Sequence, residues 1–308
     1  MAHNVFIDGG AGTTGLEIAD RLAGRDEFAL VRLSEAERKD AHCRKTALNF
    51  ADFVILCLPD DAAVEAVAMI EPDSGTRVID ASTAHRTAPG WIYGFPEIVG
   101  RQVVAGAAQV SNPGCYSTGF IALITPLIRA GLLPREWPYT VNAVSGFSGG
   151  GKGLIARYAE EPDLAFRTYG LGLAHKHLPE MQSRTGLEYP PVFAPSVVPA
   201  YRGMVVEVPL PIEAMRKAAP PAELRACLAE AYAGARTITV HDDVPDELVL
   251  RADAPPSDRI DIHVCADAAG KTARLIAILD NLGKGASGAA VQSLNLMAGC
   301  DEYAGLRL

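Results

Sequence analysis

Residues 4–15 read NVFIDGGAGTTG, and this stretch decides the fold because an apolar strand runs directly into a glycine turn that opens a helix. The glycines at positions 9, 12 and 15 permit a tight turn, close approach of the backbone to a pyrophosphate, and tight packing of helix on strand. The helix N-terminus adds N–H donors and partial positive charge. The spacing G-x-x-G-x-x-G in this context predicts a dinucleotide site, with contacts from Gly9, Gly12, Thr13, Thr14 and Gly15.

Strands and helices alternate outward from this stretch to about residue 110. The pattern predicts helices over 14–24 and 62–70, and strands over 4–8, 29–33, 53–58, 77–80 and 102–105. The run FVILCL at 53–58 is apolar throughout, as expected of a parallel strand that is covered on both faces. Such alternation predicts a Rossmann-type, doubly wound parallel sheet.

The rhythm changes beyond about residue 139. Strands are predicted over 139–147, 203–210, 237–241, 248–252 and 259–266, and helices over 223–233, 273–282 and 285–298. Apolar Ile260, Ile262 and Val264 alternate with polar neighbours, which is typical of a half-solvated antiparallel strand. The predicted fold class is therefore α/β: a doubly wound domain plus an α+β substrate domain with a mainly antiparallel sheet.

Composition limits the class of protein and its partners. With 308 residues, 49% hydrophobic and 21% charged, the chain is expected to form two globular domains. A net charge of −9 argues against a nucleic-acid partner, and no apolar run reaches the roughly 18 residues of a membrane span. Six cysteines without zinc-ligand spacing, and a start without signal-peptide character, predict a cytoplasmic protein with reduced thiols and no metal site.

Two further segments are assigned to anions. Ser34 and Arg38 follow the second predicted strand, where a serine with nearby cations suits the 2′-phosphate of NADP, although Glu35 could instead bind a ribose hydroxyl. Pro59 and Ser82 are added as cofactor contacts. Residues 146–152 fit the first seven positions of a P-loop, but Gly153 stands where a magnesium ligand is needed. This loop is therefore predicted to bind a substrate anion through Ser145, Gly146, Ser148 and Lys152.

Cys115 is the predicted nucleophile. It lies in SNPGCYST at 111–118, just before an apolar helical pattern over 119–128, and a helix N-terminus favours the thiolate form of a cysteine. An acid–base partner is expected from His175 or His177, with Glu180 orienting one imidazole at a short helix that ends at Gly186. A metal site and an ordinary surface loop are the alternatives for this histidine cluster. The remaining histidines are predicted to be isolated and structural: His3, His42, His85, His241 and His263.

Six motifs together resemble the N-acetyl-gamma-glutamyl-phosphate reductases in their shorter, type 2 form. The resemblance covers nearly the whole chain, and its cysteine and C-terminal motifs are the specific ones. The motifs are GGAGTTG at 9–15, SNPGCYSTG at 111–119, VSGFSGGGK at 144–152, HKHLPEM at 175–181, YRGM at 201–204 and DNLGKGASGAAVQSLNLM at 280–297.

The resemblance implies an NADPH-dependent reduction of N-acetyl-L-glutamyl 5-phosphate to the semialdehyde, a step of arginine biosynthesis, through a Cys115 thioester. It implies that Arg202 and Asn112 bind substrate, the arginine through a carboxylate or phosphate. It further implies nicotinamide contacts from Asn281, Gly283, Lys284 and Gly285. The expected domains are 1–115 with 286–308 for the dinucleotide, and 116–285 for substrate and self-association as a homodimer or homotetramer.

Three alternatives to this function are retained. Aspartate-semialdehyde dehydrogenase has the same two-domain plan and thioester chemistry, but a different active-site signature. A reductase of another aminoacyl phosphate is harder to separate by sequence. A nonenzymatic redox sensor that binds NADP would need neither a nucleophile nor a histidine pair, and both are present here.

Overall fold

The structure of the protein is a computed structural model that describes residues 2–308, and the chain divides into two compact units. The first unit comprises residues up to Pro113 together with Ala286–Leu306. The second comprises Gly114–Gly285 with the last two residues. Within the described residues, none of the helices combines the length and apolar character that crossing a membrane requires.

The first unit contains a six-stranded, wholly parallel sheet in the order β2-β1-β3-β4-β6-β5. Its strands are β1 (His3–Asp8), β2 (Phe28–Val31), β3 (Phe53–Leu56), β4 (Arg77–Asp80), β5 (Ile92–Tyr93) and β6 (Gln109–Ser111). Its helices are α1 (Thr13–Leu22), α2 (Ala41–Phe50), α3 (Asp60–Met69), α4 (Pro96–Val99), α5 (Arg101–Ala105) and, from the C-terminal segment, α10 (Gly288–Ala298). The strand order reverses beside β1, which is where ligands bind in sheets of this kind.

Both faces of this sheet are covered, because successive strand residues point to opposite sides. Val5 of β1 packs in a cluster with residues of α1 and α10, whereas the next residue, Phe6, packs in a second cluster with α2 and α3. In β3, Ile55 belongs to the first cluster and Val54 to the second. The continuous apolar run of β3 therefore follows from two separate cores.

The second unit contains a seven-stranded mixed sheet in the order β11-β12-β13-β10-β7-β9-β8. Four of its neighbouring pairs are antiparallel, and the pairs β11–β12 and β7–β9 are parallel. Its strands are β7 (Thr140–Gly146), β8 (Arg167–Thr168), β9 (Val192–Val198), β10 (Met204–Leu210), β11 (Ile238–Val240), β12 (Ile260–Ala266) and β13 (Ala273–Leu279). Its helices are α6 (Cys115–Arg129), α7 (Gly151–Glu160), α8 (Leu178–Thr185) and α9 (Pro221–Ala231).

Helix α6 is the central helix of the second unit and is buried along most of its length. A Cβ atom at Gly119 would lie 2.7 Å from Cγ2 of Val206 in β10, so glycine is needed for this close approach of helix and sheet. The packing fixes the axis of α6 against the sheet. It thereby fixes the position of Cys115, its first residue.

The predicted fold class is confirmed, but three element assignments are wrong. Residues 102–105 were predicted as a strand because of their two valines, but they lie in the short helix α5. Val104 packs into the core, and Val103 is exposed. Residues 273–279 form strand β13 rather than a helix, because a central strand with few exposed positions shows no alternation. Residues 248–252 form no strand, although Leu250 is held by its contact with Gly203.

Candidate active site

The glycine turn after β1 has the shape that the sequence predicted. Gly9 has φ +83°, and a Cβ atom there would lie 2.3 Å from the carbonyl oxygen of Cys57. A Cβ atom at Gly15 would lie 2.7 Å from Cα of Gly10, which is how α1 packs so tightly on the turn. Gly12 donates to the carbonyl of Gly9 at 2.9 Å and caps α1. Glycine is therefore required at positions 9 and 15, where a side chain would collide with neighbouring backbone.

The cofactor residues predicted after β2 and β3 lie on exposed backbone. Ser34 is exposed and caps a short turn, since its hydroxyl accepts from the amide of Glu37 at 3.3 Å. Glu37 returns the contact, because its carboxylate accepts from the amide of Ser34 at 2.7 Å. Arg38 follows in this turn with an exposed side chain, and Pro59 precedes α3. The serine therefore shapes the turn that carries the cation.

The loop after β4 is organised by the buried carboxylate of Asp80. It accepts from the amide of Ser82 at 2.8 Å and from the hydroxyl of Ser82 at 2.7 Å. The prediction that His85 is isolated is wrong. Its Nδ1 lies 2.6 Å from Oδ2 of Asp80, and its ring stacks on Trp91 with centroids 4.1 Å apart. The predicted cofactor contact Ser82 is thus held in a fixed loop.

Asn112 lies in a buried position one residue before the end of the first segment of the first unit. Its side-chain amide donates to the carbonyl of Ala286 at 3.0 Å, and its own carbonyl accepts from Nε of Arg86 at 3.0 Å. Its Oδ1 atom is buried and has no hydrogen-bond partner within residues 2–308. The contacts of Asn112 join the loop after β4 to the segment that leads into α10.

Cys115 is half-buried and is the first residue of α6. Glu180, which was predicted to orient one imidazole, binds the start of this helix. One carboxylate oxygen accepts from the amide of Gly114 at 2.8 Å, and the other accepts from the hydroxyl of Ser117 at 2.8 Å. Glu180 is 1% exposed. A buried carboxylate from α8 therefore binds the backbone just before the candidate nucleophile and a side chain just after it.

The two histidines lie beside the residue that follows Cys115. The ring of Tyr116 is 6.1 Å from that of His175 and 5.8 Å from that of His177. The imidazoles are 4.8 Å apart, and Nδ1 of His175 accepts from the amide of His177 at 3.2 Å. Phe193 and Tyr169 complete an aromatic enclosure around His175, with ring distances of 5.0 and 5.5 Å. The structure thus brings the predicted histidine pair against Tyr116, the residue that follows the predicted nucleophile.

The phenols of this enclosure stay protonated at neutral pH. Burial raises the pKa of Tyr169 to about 12 and raises the pKa of Tyr116 further, and negative charge on Cys115 adds to both effects. The hydroxyl of Tyr116 donates to the carbonyl of Ser196 at 3.2 Å. Both tyrosines therefore act as neutral walls and hydrogen-bond donors rather than as bases.

The glycine loop after β7 is built against the strand connection at 200–203. The amide of Gly146 donates to the carbonyl of Gly203 at 2.8 Å, and the amide of Ser148 donates to the carbonyl of Tyr201 at 3.1 Å. A Cβ atom at Gly146 would lie 2.7 Å from the carbonyl oxygen of Ala200. Ser145 and Ser148 are buried, whereas Lys152 is exposed on the first turn of α7.

Arg202 is buried and forms an ion pair with Asp280, with 2.9 Å between Nη1 and Oδ2. The next residue, Asn281, uses both ends of its buried amide. Its oxygen accepts from the amide of Gly203 at 2.9 Å, and its nitrogen donates to the hydroxyl of Ser148 at 2.9 Å. Asn281 therefore connects the predicted anion loop to the backbone beside the predicted substrate arginine.

The turn over 283–287 continues this segment to the nucleophile. A Cβ atom at Gly285 would lie 3.0 Å from Cβ of Cys115, and one at Gly283 would lie 1.8 Å from the carbonyl oxygen of Ser257. Lys284, between them, is 1% exposed. Glycine is required at both positions because the turn is pressed against Cys115 on one side and against residue 257 on the other.

Sequence reasoning missed four residues of this site. Tyr116 was identifiable because it adjoins Cys115, and Asp280 because it begins the C-terminal motif. Tyr169 and Phe193 gave no usable signal, since they approach His175 only through tertiary structure. The prediction that His241 and His263 are isolated is also wrong, because their rings stack with centroids 4.5 Å apart.

Two family models match the chain. The semialdehyde dehydrogenase NAD binding domain matches residues 4–106, and the semialdehyde dehydrogenase dimerisation domain matches residues 115–281. They confirm the prediction of an oxidoreductase with a nicotinamide dinucleotide cofactor.

Curated relatives match along nearly the whole chain. The N-acetyl-gamma-glutamyl-phosphate reductase of Trichormus variabilis is 46% identical in an alignment of 319 positions that covers 98% of each chain. The enzyme of the same name from Rhizobium meliloti is 48% identical in an alignment of 307 positions that covers 96% of this chain and 99% of the relative.

Solved structures with the same fold are more distant in sequence. Aspartate semialdehyde dehydrogenase II from Vibrio cholerae, complexed with ASA, has a TM-score of 0.71 at 17% identity and covers 97% of this chain and 99% of its own. Aspartate semialdehyde dehydrogenase with NADP from Candida albicans has a TM-score of 0.65 at 17% identity, covering 96% and 98%. These two structures establish the fold.

Proposed function

The chain belongs to the N-acetyl-gamma-glutamyl-phosphate reductase family, as its motifs indicated, and we propose that it reduces N-acetyl-L-glutamyl 5-phosphate to N-acetyl-L-glutamate 5-semialdehyde and phosphate. This reaction is a step of arginine biosynthesis. One observation carries the proposal: Cys115 begins a buried helix whose start is fixed by Glu180, and both imidazoles of His175 and His177 contact the adjoining Tyr116.

The residues of the first unit suit NADP. The turn formed by Gly9 and Gly15 leaves open space at Gly12, where a Cβ atom would meet only the carbonyl oxygen of Gly9, and it lies at the start of α1 beside the point where the strand order reverses. Arg38 is an exposed cation for the 2′-phosphate, and Thr13 and Thr14 begin the helix that would face the pyrophosphate. When bound, NADPH supplies the hydride that reduces the acyl group.

The covalent step belongs to Cys115. Its Sγ atom attacks the acyl carbon, the new S–C bond forms, and the C–O bond to phosphate breaks as phosphate leaves with the electron pair. A thioester results, which accepts a hydride far better than a carboxylate does. Glu180 supports this step by binding the backbone amide of Gly114 and the hydroxyl of Ser117 on either side of the cysteine. Gly285 allows the turn over 283–287 to pass close to the sulfur-bearing residue.

The proton belongs to the histidine pair. An imidazole protonates the developing oxygen after reduction and then takes that proton back as the S–C bond breaks and the aldehyde leaves. The enclosure of Tyr116, Tyr169 and Phe193 holds the rings. Arg202 and the loop with Ser145, Ser148 and Lys152 supply cations and donors for the carboxylate and the phosphate of the substrate.

Replacing Cys115 tests this mechanism. Cys115→Ser should lower phosphate-dependent NADP⁺ reduction with the semialdehyde by about 10³-fold or more, since a serine hydroxyl stays protonated and is a poor nucleophile. Cys43→Ser is the matched control because Cys43 lies on α2 in the first unit. Turnover of the Cys115 variant near that of the control would refute the proposed nucleophile.

Alkylation offers a second measurement on the intact enzyme. The pKa of every other thiol is raised: that of Cys57 by burial to about 12, that of Cys43 by its hydrogen bond to Asp40, and those of Cys227, Cys265 and Cys300 by burial. We expect iodoacetamide at pH 7.5 to modify Cys115 first, as read by peptide mass mapping. Earlier modification of any other cysteine would contradict the assignment.

We further propose that the enzyme self-associates as a homodimer or homotetramer through the sheet of its second unit. The face of the sheet opposite α6 carries half-buried Val144, Val205 and Ile278 as cross-strand neighbours. A groove of about 660 Å³ lies on the same unit, lined in part by Trp137 and Leu210. Light scattering that gives the mass of one chain would exclude self-association.

The absence of disulfides among residues 2–308 supports a reducing compartment, and we propose the cytoplasm.

A further inference from the structure

Asp280 is placed to control the candidate substrate arginine. Its Oδ2 atom accepts from Nη1 of Arg202 at 2.9 Å and from the amide of Ser257 at 3.2 Å, while its Oδ1 atom accepts from the amide of Leu282 at 2.9 Å. Asp280 and Arg202 are both buried. Each charge would be costly to bury alone, so the arginine is held where this carboxylate lies.

The backbone of Asp280 holds the other side of the site. Its carbonyl accepts from the amide of Gly283 at 3.1 Å and from the amide of Gly285 at 3.0 Å. Gly285 is the residue on which a Cβ atom would lie 3.0 Å from Cβ of Cys115. One residue therefore fixes both the guanidinium and the turn beside the sulfur nucleophile. The distance between the group that binds an anion and the group that attacks carbon depends on it.

We propose that Asp280 is the positioning residue of this site: it orients Arg202 toward an anionic group of the substrate and sets the arginine's spacing from Cys115. This inference rests on the proposed function. Its chemistry is a buried carboxylate that directs a guanidinium at a second, external carboxylate or phosphate. Asp280 itself touches neither substrate nor the reacting atoms.

The replacement Asp280→Asn is the sharpest test, because asparagine has the same shape. One amide oxygen can still accept from Leu282, but an NH₂ group then faces two donors, the guanidinium of Arg202 and the amide of Ser257. The guanidinium of Arg202 should therefore move away from residue 280. We expect the KM of either the semialdehyde or phosphate to rise at least about tenfold, with kcat changed less than about threefold and the KM of NADP⁺ unchanged.

A double variant separates positioning from a general loss of structure. Arg202→Lys should raise the same KM, because a lysine lacks the planar fork that binds an oxyanion at two points. Adding Asp280→Asn to Arg202→Lys should raise it by no more than about twofold further, since the group that Asp280 positions is already gone. Asp261→Asn is the matched control, because Asp261 pairs with His241 on the same unit.

A readout without turnover keeps this inference separate from the proposed reaction. Inorganic phosphate and N-acetyl-L-glutamate should protect Cys115 from iodoacetamide, and Asp280→Asn should raise the half-protecting concentration of one of them at least about tenfold. The ligand that shifts identifies the anion that Arg202 binds. Should Asp280→Asn fail to fold, Asp280→Glu keeps the charge and moves it by one methylene, and the same shift is expected to a smaller degree.

Two results would overturn the inference. The first is an active wild type whose Asp280→Asn variant has unchanged KM values for both anions and a lower kcat alone. The second is unchanged protection by both ligands in every variant of Asp280. A third result separates the two proposals. If Asp280→Asn raises the half-protecting concentration relative to the wild type, but the wild type has no reductase turnover, the proposed function is refuted and the positioning role stands.

Discussion

Helices α1 and α6 of this enzyme both begin after a glycine, but the two helix starts have different uses. Gly12 before α1 has φ −75° and ψ 166°, and Gly114 before α6 has φ −75° and ψ 145°. Neither helix has an acidic residue in its first turn. The start of α1 follows a glycine turn with open space beside Gly12, whereas the start of α6 receives the carboxylate of Glu180 from another helix.

The difference shows how one local geometry serves two kinds of chemistry. A helix start that presents backbone N–H groups suits an anion from outside, such as a pyrophosphate. A helix start whose N–H and hydroxyl groups are bound by an internal carboxylate instead becomes rigid, and it presents a side chain, here Cys115, in one position. Local sequence gives the helix start, and the tertiary partner decides its use.

Among changes outside the nucleophile itself, the largest effect on activity is expected when Glu180, the residue that binds the start of α6, loses its charge. Glu180→Gln removes a buried charge that binds two donors, so we expect kcat to fall by about 10- to 100-fold as the thiol loses its fixed position. The free energy of unfolding should fall by about 1–3 kcal/mol. Steady-state kinetics and urea denaturation measure both, with the exposed Glu188→Gln as control. Equal kcat in the two variants would show that the carboxylate does not fix the nucleophile.

A smaller effect, on cofactor binding, is expected at the glycine turn before α1. Gly12→Ala places a methyl group in the turn, where Gly9 carbonyl oxygen at 3.3 Å is the only atom within 4 Å, so the fold should tolerate it. The KM of NADPH should rise about tenfold, because the methyl occupies space meant for phosphate. Gly153→Ala is the control, since a Cβ atom there meets nothing within 4 Å. An unchanged KM for NADPH would place the pyrophosphate elsewhere.

The smallest effect is expected at the end of β2. Arg38→Ala removes an exposed cation, so the preference for NADPH over NADH should fall by about 3- to 10-fold, as expected of a screened surface charge. Lys45→Ala is the matched control, because it removes an exposed lysine of α2 that pairs with Glu71. The ratio of kcat/KM for the two cofactors measures the preference. The same ratio in both variants would assign the 2′-phosphate to another residue.

The first unit was predictable to a large extent because its signals are local. The glycine turn and the apolar run of β3 each occupy fewer than about twenty residues, and the strand–helix alternation repeats such short segments. The exception is α5, whose five residues contain too little sequence to separate a helix from a strand. The second unit was less predictable. Strand β13 is central and apolar, so its sequence lacks the alternation of a half-exposed strand. Strand β9, which pairs in parallel with β7, contains Pro195, a residue that is unfavourable within a strand.

The sequence by itself determined the fold class, the dinucleotide turn, the nucleophile and the histidine pair as candidates, since each is a residue type at a characteristic local spacing. Only the tertiary structure decided the partners of those residues. Glu180 binds the start of α6 from 63 to 66 positions away, and Asp280 binds Arg202 from 78 positions away. Such contacts leave no periodicity in the chain, because they are fixed by the packing of whole elements and not by neighbours along the backbone.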